Sequence, residues 1–253
     1  MTNAESKAGR SATDTGAGSS RPVRVVMHGA RGRMGARILA CAADDPAFRV
    51  VAALDHGDAA AWRAARGGHR RADVVVDFSL DAGAREAALV ASEEPCPLLV
   101  GTTGLTAETM AALERAAERA AVMVAPNTSL GVAVARRLVA DAARMLGRGW
   151  DADIIEWHHH HKKDAPSGTA LALADAAASG GHPIPRQRIA AVRAGDIIGE
   201  HVVMFAGPGE ILEVRHRATT RDVFALGALR LAAWLAERPA GMHSIESWLG
   251  GRA

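Results

Sequence analysis

Between residues 23 and 125 the chain alternates short, almost wholly apolar runs with longer stretches in which apolar residues recur at helical spacing. Val23–Met27, Phe48–Leu54, Asp73–Phe78, Pro97–Val100 and Val122–Ala125 read as strands. Strands without polar alternation are covered on both faces, as in a parallel sheet sandwiched by helices. Ile38, Leu39 and Cys41 mark a helix after the first strand, and 80–93 and 106–120 read as two more. Thr106 is a cap for the last of these, with Glu108 in its first turn. Strands and helices in regular succession predict an α/β fold with a parallel sheet.

Beyond residue 130 the texture changes. Leu130–Leu146 reads as a helix with Leu130, Val134 and Leu138 on its apolar face, and Asp153–Glu156 as a strand. A polar loop follows, then an Ala-rich helix from Leu171. Arg188–Arg193 and Asp196–Phe205 face each other across an Ala-Gly turn. Gly207-Pro208-Gly209 then turns the chain into Ile211–His216. These segments predict antiparallel hairpins, hence a second, smaller α+β domain. Asp222–Glu237 is an amphipathic helix, and no internal repeat is present. Residues 1–21, rich in Ala, Gly, Ser and Thr, read as a disordered tail rather than a signal peptide. Residues 22–127 together with 230–253 are expected to form one domain, and 128–229 the other.

The first chemical signal lies where the first strand meets its helix. Gly29-Ala30-Arg31-Gly32-Arg33-Met34-Gly35 supplies three glycines at that junction. Strand, glycine turn and helix are the setting in which a pyrophosphate reaches backbone N–H groups and a helix N-terminus. The spacing departs from the commoner G-x-G-x-x-G, so the turn alone is a moderate signal. Asp55, at the end of the second strand and 20 residues beyond Gly35, stands where a carboxylate would bond ribose hydroxyls. Together they predict a Rossmann-like nucleotide-binding domain. Gly101–Thr103 and Ala125–Thr128 follow later strands, at the carboxyl edge where ligands gather.

The second signal is Glu156–Ala170, whose core reads His158-His159-His160-His161-Lys162-Lys163-Asp164-Ala165-Pro166-Ser167-Gly168-Thr169. The chain's 30 basic residues comprise 27 Arg and three Lys, and two of those lysines are Lys162 and Lys163. Four of its 11 histidines fall in the same loop. Where Arg is the default cation, adjacent lysines point to a need for a compact ammonium. Ser167-Gly168-Thr169 opens a helix, so free N–H groups and the dipole favour an anion there. His158 can supply a proton near neutral pH. Adjacent histidines converge poorly on one ion and no second Cys/His cluster has ligand spacing, so no metal is expected.

Composition narrows the reading further. A formal charge of +2 gives no sign of nucleic-acid binding, and no apolar run reaches membrane-spanning length. Cys41 and Cys96 sit in separate apolar segments and read as buried thiols of a reducing compartment, the cytoplasm.

These residues resemble the 4-hydroxy-tetrahydrodipicolinate (dihydrodipicolinate) reductase family. The resemblance rests on Glu156-x-His158-His159-x-x-Lys162-x-Asp164-Ala165-Pro166-Ser167-Gly168-Thr169-Ala170 and the Gly29–Gly35 turn. It rests also on Gly101-Thr102-Thr103-Gly104, Asn127-x-Ser129-x-Gly131 and Arg193-Ala194-Gly195-Asp196-Ile197-x-Gly199-Glu200-His201. It spans residues 23–250 and implies reduction of a cyclic imine dicarboxylate by NADH or NADPH in lysine and diaminopimelate biosynthesis. By the same resemblance His158 is the proton donor and Lys162 a second donor or substrate clamp. His159, Gly168 and Thr169 would hold the substrate's carboxylates. Gly29, Ala30, Arg31, Gly32, Arg33, Met34, Asp55, Gly101, Thr102, Thr103, Ala125, Pro126, Asn127 and Thr128 would hold the coenzyme. The family is usually a homotetramer built through the sheet of the second domain. The segments Asp55–Asp73 and Gly181–Val192 are shorter than the family usually carries.

Asp55 favours NADH, whereas Arg33, with Arg31 and His56 nearby, would pair with the extra phosphate of NADPH, so both are expected to work with NADH modestly preferred. The alternatives are another two-domain nicotinamide reductase or a nucleotide-sensing protein without turnover. A phosphorylating semialdehyde dehydrogenase would need a catalytic Cys, and neither Cys lies in the charged loop.

Overall fold

The computed structural model describes residues 21–58 and 72–251. The tail before Arg21 and the basic loop with Arg63, Arg66, Arg70 and Arg71 lie outside the described residues. Arg21, grouped with the tail by sequence, forks onto the Asp73 carboxylate at 2.8 and 3.0 Å.

The first sheet contains β1 (Val23–His28), β2 (Phe48–Leu54), β3 (Val74–Asp77), β4 (Leu98–Val100) and β5 (Ala121–Val124). A three-residue β10 (Gly241–His243), which the sequence pattern did not reveal, completes it. All pairings are parallel, in the order β10-β5-β4-β3-β1-β2. The strands lack polar alternation because both faces are covered. Val74 and Val76 point into one core and Val75 into the other. Helices α2 (Asp81–Glu93) and α3 (Ala107–Ala117) close the Val75 side. Helices α1 (Arg33–Ala43), α6 (Asp222–Leu235) and α7 (Ile245–Gly250) close the other. Each fully buried Leu or Met here contributes about 1.5–3 kcal/mol. Ala225, Ala228 and Leu229, which the sequence reading grouped with the second unit, belong to this core. β1 pairs with β2 on one side and β3 on the other, so the strand order reverses beside β1 and opens a crevice at the carboxyl ends.

The second sheet has the order β7-β6-β8-β9, with β6 (Asp151–His158), β7 (Ile189–Arg193), β8 (Glu200–Gly207) and β9 (Glu210–Arg217). One expected hairpin is corrected. β7 does not pair with β8; it runs parallel to β6, which sits between them, while Asp196–Gly199 forms the connecting turn. The second hairpin, β8 with β9, is antiparallel. β6 also extends beyond Glu156, so that His158 is its last residue rather than part of a loop. The shortened stretch after Gly181 runs through a single 3-10 turn, Arg186–Arg188, into β7.

Helices α4 (Leu130–Leu146) and α5 (Gly168–Ser179) cover one face of this sheet. The expected apolar stripe of α4 is also corrected: Val134 and Leu138 are exposed, and Val132, Ala135, Val139 and Ala143 face inward. Small residues let α4 and α5 approach closely. Gly180 shows how closely, since a Cβ there would lie 2.4 Å from the Ala140 carbonyl oxygen.

Candidate active site

At the crevice, β1 ends in a compact glycine turn. Gly29 has φ +81, and a Cβ on it would lie 2.5 Å from the Phe78 carbonyl oxygen. A Cβ on Gly35 would lie 2.1 Å from the Gly29 oxygen. Glycine is therefore dictated at Gly29 by contact and by dihedral, and at Gly35 by contact alone. The N-terminus of α1 begins at Gly32 with no side-chain cap and no acid in its first turn. Its N–H groups and dipole are left for an anion, which fits a dinucleotide's pyrophosphate.

A cleft of about 490 Å³ opens above this turn, lined by Gly32, Arg33, Met34, Gly101, Thr102, Thr103, Pro126 and Thr128 among the expected residues. Phe78, Ser79, Leu80 and Phe224 line it too and were not foreseen. Gly101 makes room for Phe78, whose ring a Cβ would strike at 2.1 Å. Three expected residues shape the cleft from behind. The Gly29 and Ala30 N–H groups both donate to the Leu54 carbonyl, and Ala125 is buried with its N–H on Val100. Below the floor, buried Asp77 accepts from Ser79 Oγ and Thr102 Oγ1, each at 2.6 Å, and meets His28 Nδ1 at 2.7 Å.

Asp55, at the end of β2, is not among the residues lining the cleft, and the Arg31 N–H and Arg31 Nε both approach it at 3.3 Å. This changes the assignment of the cation beside the acid. It is Arg31, while Arg33 lines the cleft and His56 turns away to Glu86 at 2.8 Å.

The second cluster gathers at the end of β6. His158 is buried and its Nδ1 meets Glu156 Oε2. Glu156, fully buried, accepts at Oε1 from Arg193 Nη2 at 2.9 Å and from the Ser167 N–H at 3.1 Å. Burial pushes the Glu156 carboxyl up, but Arg193, His158 and the Ser167 N–H overcome it and leave it below its usual range. For His158 burial dominates and lowers the imidazolium; Glu156 opposes that, while Lys162 and Arg193 add to it. His201 packs edge-on against His158 at 5.1 Å between ring centroids. Its own burial, then the neighbouring His158, pushes it down to about 4, so it is neutral at pH 7. Its Nε2 lies 3.1 Å from Ser167 Oγ.

Past His158 the chain bends across Ala194–Ile197, with the His159 N–H donating to the Ile197 carbonyl at 2.6 Å. His159 is half-buried; burial first and Arg221 second lower its imidazolium. Lys162 is half-buried and its Nζ meets Asp164 Oδ1 at 2.9 Å, whereas Lys163 is exposed. Ser167 caps α5 by accepting from the Ala170 N–H at 3.2 Å. A Cβ on Gly168 would meet nothing within 4 Å, so the helix end is open to a ligand. Asn127, expected to touch the coenzyme, is not among the residues lining the cleft; it donates from Nδ2 to Thr169 Oγ1 at 2.9 Å and accepts from the Ser129 N–H. It joins the end of β5 to the start of α5.

Among the described residues, Glu156, His158 and His201 are the group whose ligand atoms come within 4.8 Å of one another. The Glu156 carboxylate is already engaged by a guanidinium, an imidazole and an N–H, so the group is a charge network closed on itself. Cys41 and Cys96 are buried in the two cores of the first sheet, so no thiol is available to the loop.

The family model described as "Dihydrodipicolinate reductase, N-terminus" matches residues 23–128, and "Dihydrodipicolinate reductase, C-terminus" matches 131–249. Among curated proteins, a 4-hydroxy-tetrahydrodipicolinate reductase of Xanthomonas euvesicatoria is 46% identical over 88% of this chain and 96% of its own length. One from Stenotrophomonas maltophilia is 45% identical over 90% and 98%, and one from Campylobacter jejuni 38% over 90% and 99%. Among solved structures, a dipicolinate-bound dihydrodipicolinate reductase from Paenisporosarcina superposes with a TM-score of 0.72 at 23% identity. It covers 88% of this chain and 97% of its own, a likeness of fold.

Proposed function

This chain belongs to the dihydrodipicolinate reductase family, and from that membership we propose how its two sheets share one reaction. It reduces 4-hydroxy-tetrahydrodipicolinate to tetrahydrodipicolinate, with loss of water, using NADH or NADPH, a step of lysine and diaminopimelate biosynthesis. The coenzyme, when bound, supplies the hydride. Gly32, Arg33, Met34, Gly101, Thr102, Thr103, Pro126 and Thr128 hold it along the cleft, with Asp55 and Arg31 at its ribose.

The observation that supports the rest is a buried His158 whose Nδ1 is taken by Glu156, next to a half-buried ammonium and an open helix N-terminus. With Nδ1 engaged, Nε2 is the nitrogen that carries a proton to the substrate ring. Lys162 and the Gly168 and Thr169 N–H groups hold the substrate's carboxylates, and His159 borders the same anion site. Asp164 keeps Lys162 in place until a substrate carboxylate replaces it. Following NADH absorbance as the purified protein meets the product of the upstream synthase tests the whole assignment. An unchanged trace would remove it, leaving the alternative of a sensor without turnover.

For coenzyme choice, Asp55 accepts hydrogen bonds from the ribose of NADH and repels the phosphate of NADPH, and Arg31 offsets that repulsion. At so open a position the two effects nearly cancel. Both coenzymes are expected to work, with NADH favoured by less than roughly a hundredfold, about 2.7 kcal/mol. Asp55→Ala shifts preference toward NADPH, and Arg31→Ala weakens NADPH more than NADH. Steady-state kinetics with each coenzyme decide this; equal losses for both in Arg31→Ala would move that guanidinium away from the ribose.

The assembly we propose is a homotetramer through the second sheet. Helices cover the face that carries Ile154, Val203 and Phe205. By register the other face carries Ile155, Trp157, Val192, Met204 and Ile211 together with the charged Asp153, Glu200, Glu213, Arg215 and Arg217, and Ile211 is 63% exposed. Exposed apolar side chains of this kind, rimmed by charged ones, support an association surface. Light scattering at micromolar concentration should give the mass of four chains, and a monomer mass would reject the reading. No helix among the described residues is long and apolar enough to cross a membrane, and two buried free thiols support a cytoplasmic setting.

A further inference from the structure

The loop from His158 to Ser167 is engaged at both ends by one ion pair, the fully buried Glu156 with the partly buried Arg193. Glu156 takes His158 Nδ1 at one end and the Ser167 N–H at the other. Arg193 binds Glu156 and spans the middle, donating from Nε to the Lys162 carbonyl at 3.2 Å and from Nη2 to the Asp164 carbonyl. One guanidinium thus fixes the main chain that carries Lys162 and, through Glu156, the ring that carries the proton. Register explains why they meet, because Arg193 of β7 lies beside His158 of β6, on the same face of the sheet.

We propose that Glu156 and Arg193 act as one positioning unit, Glu156 selecting the Nδ1–H tautomer of His158 and Arg193 holding both that carboxylate and the Lys162–Asp164 backbone in register for the substrate. The inference rests on His158 being the proton donor. A neutral acceptor could orient the ring, but only a carboxylate also stabilises its protonated form. Arg193 partly offsets that stabilisation. The pair therefore moderates the donor rather than maximising its basicity. The groups facing His158 are Glu156 from its own strand, Lys162 from the loop, Arg193 from β7 and His201 from β8, with His216 of β9 behind His201.

The two charges act on His158 with opposite sign, and a purely structural role would not reproduce that. In Glu156→Gln the pH above which kcat declines should move down by about one unit or more. In Arg193→Gln it should move up, while KM for the dicarboxylate rises about tenfold and KM for NADH is unchanged. Arg193→Lys keeps the charge and loses the fork, so the pH profile stays near wild type while substrate KM still rises. An unchanged circular dichroism spectrum and thermal transition, together with NADH binding by fluorescence, confirm that each variant is folded. Shifts in the same direction, or an unmoved profile in Glu156→Gln with activity merely reduced, would overturn the proposal. If Glu156→Gln does not fold, Arg193→Gln decides alone, and an unmoved profile there overturns it. Near wild-type turnover in His158→Gln would instead remove the underlying assignment of the donor.

Discussion

Replacing His158 by Gln should lower kcat by roughly 10²–10⁴-fold while leaving NADH binding intact. Glutamine fills much of the same space and still offers a hydrogen bond to Glu156, but it cannot deliver a proton. Coenzyme binding is spared because the residues lining the cleft lie at the ends of the first sheet's strands, and His158 ends a strand of the second. The pH dependence follows from the site. Burial holds the His158 imidazolium below its ordinary value, so the free enzyme carries this ring mainly neutral at pH 7. An arriving dicarboxylate adds negative charge and raises the imidazolium again, because a nearby opposite charge favours the charged form. The decline in kcat/KM with rising pH should therefore lie below the decline in kcat, since the first reports the free enzyme and the second the complex. Coincident profiles, or near wild-type turnover in His158→Gln, would take His158 out of the mechanism.

The first sheet was legible because it is buried on both faces. A strand such as Val74–Val76 then shows nothing but apolar residues, and the glycine turn after Met27 shows where the chain must reverse tightly against Phe78. The second sheet was less legible for the opposite reason. Its strands have one open face, and a parallel neighbour such as β7 leaves no mark in the local sequence. The turn Ala194-Gly195 looks like a hairpin turn because it does reverse the chain, but β6 inserts between the two strands it joins. Val134 and Leu138 misled for a related reason: they are apolar at helical spacing yet exposed, and alanines carry the packed face.

In the proposed site, the candidates His158 and Lys162 were legible from type and spacing, whereas Glu156 and Arg193 entered the sequence reading only as motif positions without a role. His158 and Lys162 stand out in a chain with three lysines. Arg193 is one of 27 arginines, and only pairing between β6 and β7 brings it to Glu156. Phe224 reaches the cleft from the start of α6, almost 100 residues from the nearest lining residue in the chain, Thr128. Arg31 was separable from Arg33 only by where each guanidinium falls around the turn.

Lys162→Ala should reduce kcat/KM by roughly 10²–10³-fold, whereas the neighbouring Lys163→Ala should change it less than about twofold. The two side chains are chemically identical, so the difference must come from placement. Lys162 is half-buried, its backbone N–H is bound to the His159 carbonyl at 3.1 Å and its carbonyl is held by Arg193. Its ammonium is held at 2.9 Å from Asp164, which lies below its usual pKa through that contact. Lys163 is exposed. A charge-assisted contact in a partly desolvated site is worth about 1.5–3 kcal/mol, and one carboxylate left without its cation accounts for most of the expected loss. Lys162→Arg should recover only part, because a planar fork cannot occupy the place of a compact ammonium. Asp164→Asn is the complementary probe. It releases the ammonium that the substrate must otherwise take from Asp164, so KM should fall or hold while Lys162→Ala raises it. A larger loss in Lys163→Ala than in Lys162→Ala would mean that the loop turns the other lysine to the substrate, and steady-state kinetics on the pair settles which ammonium the carboxylate meets.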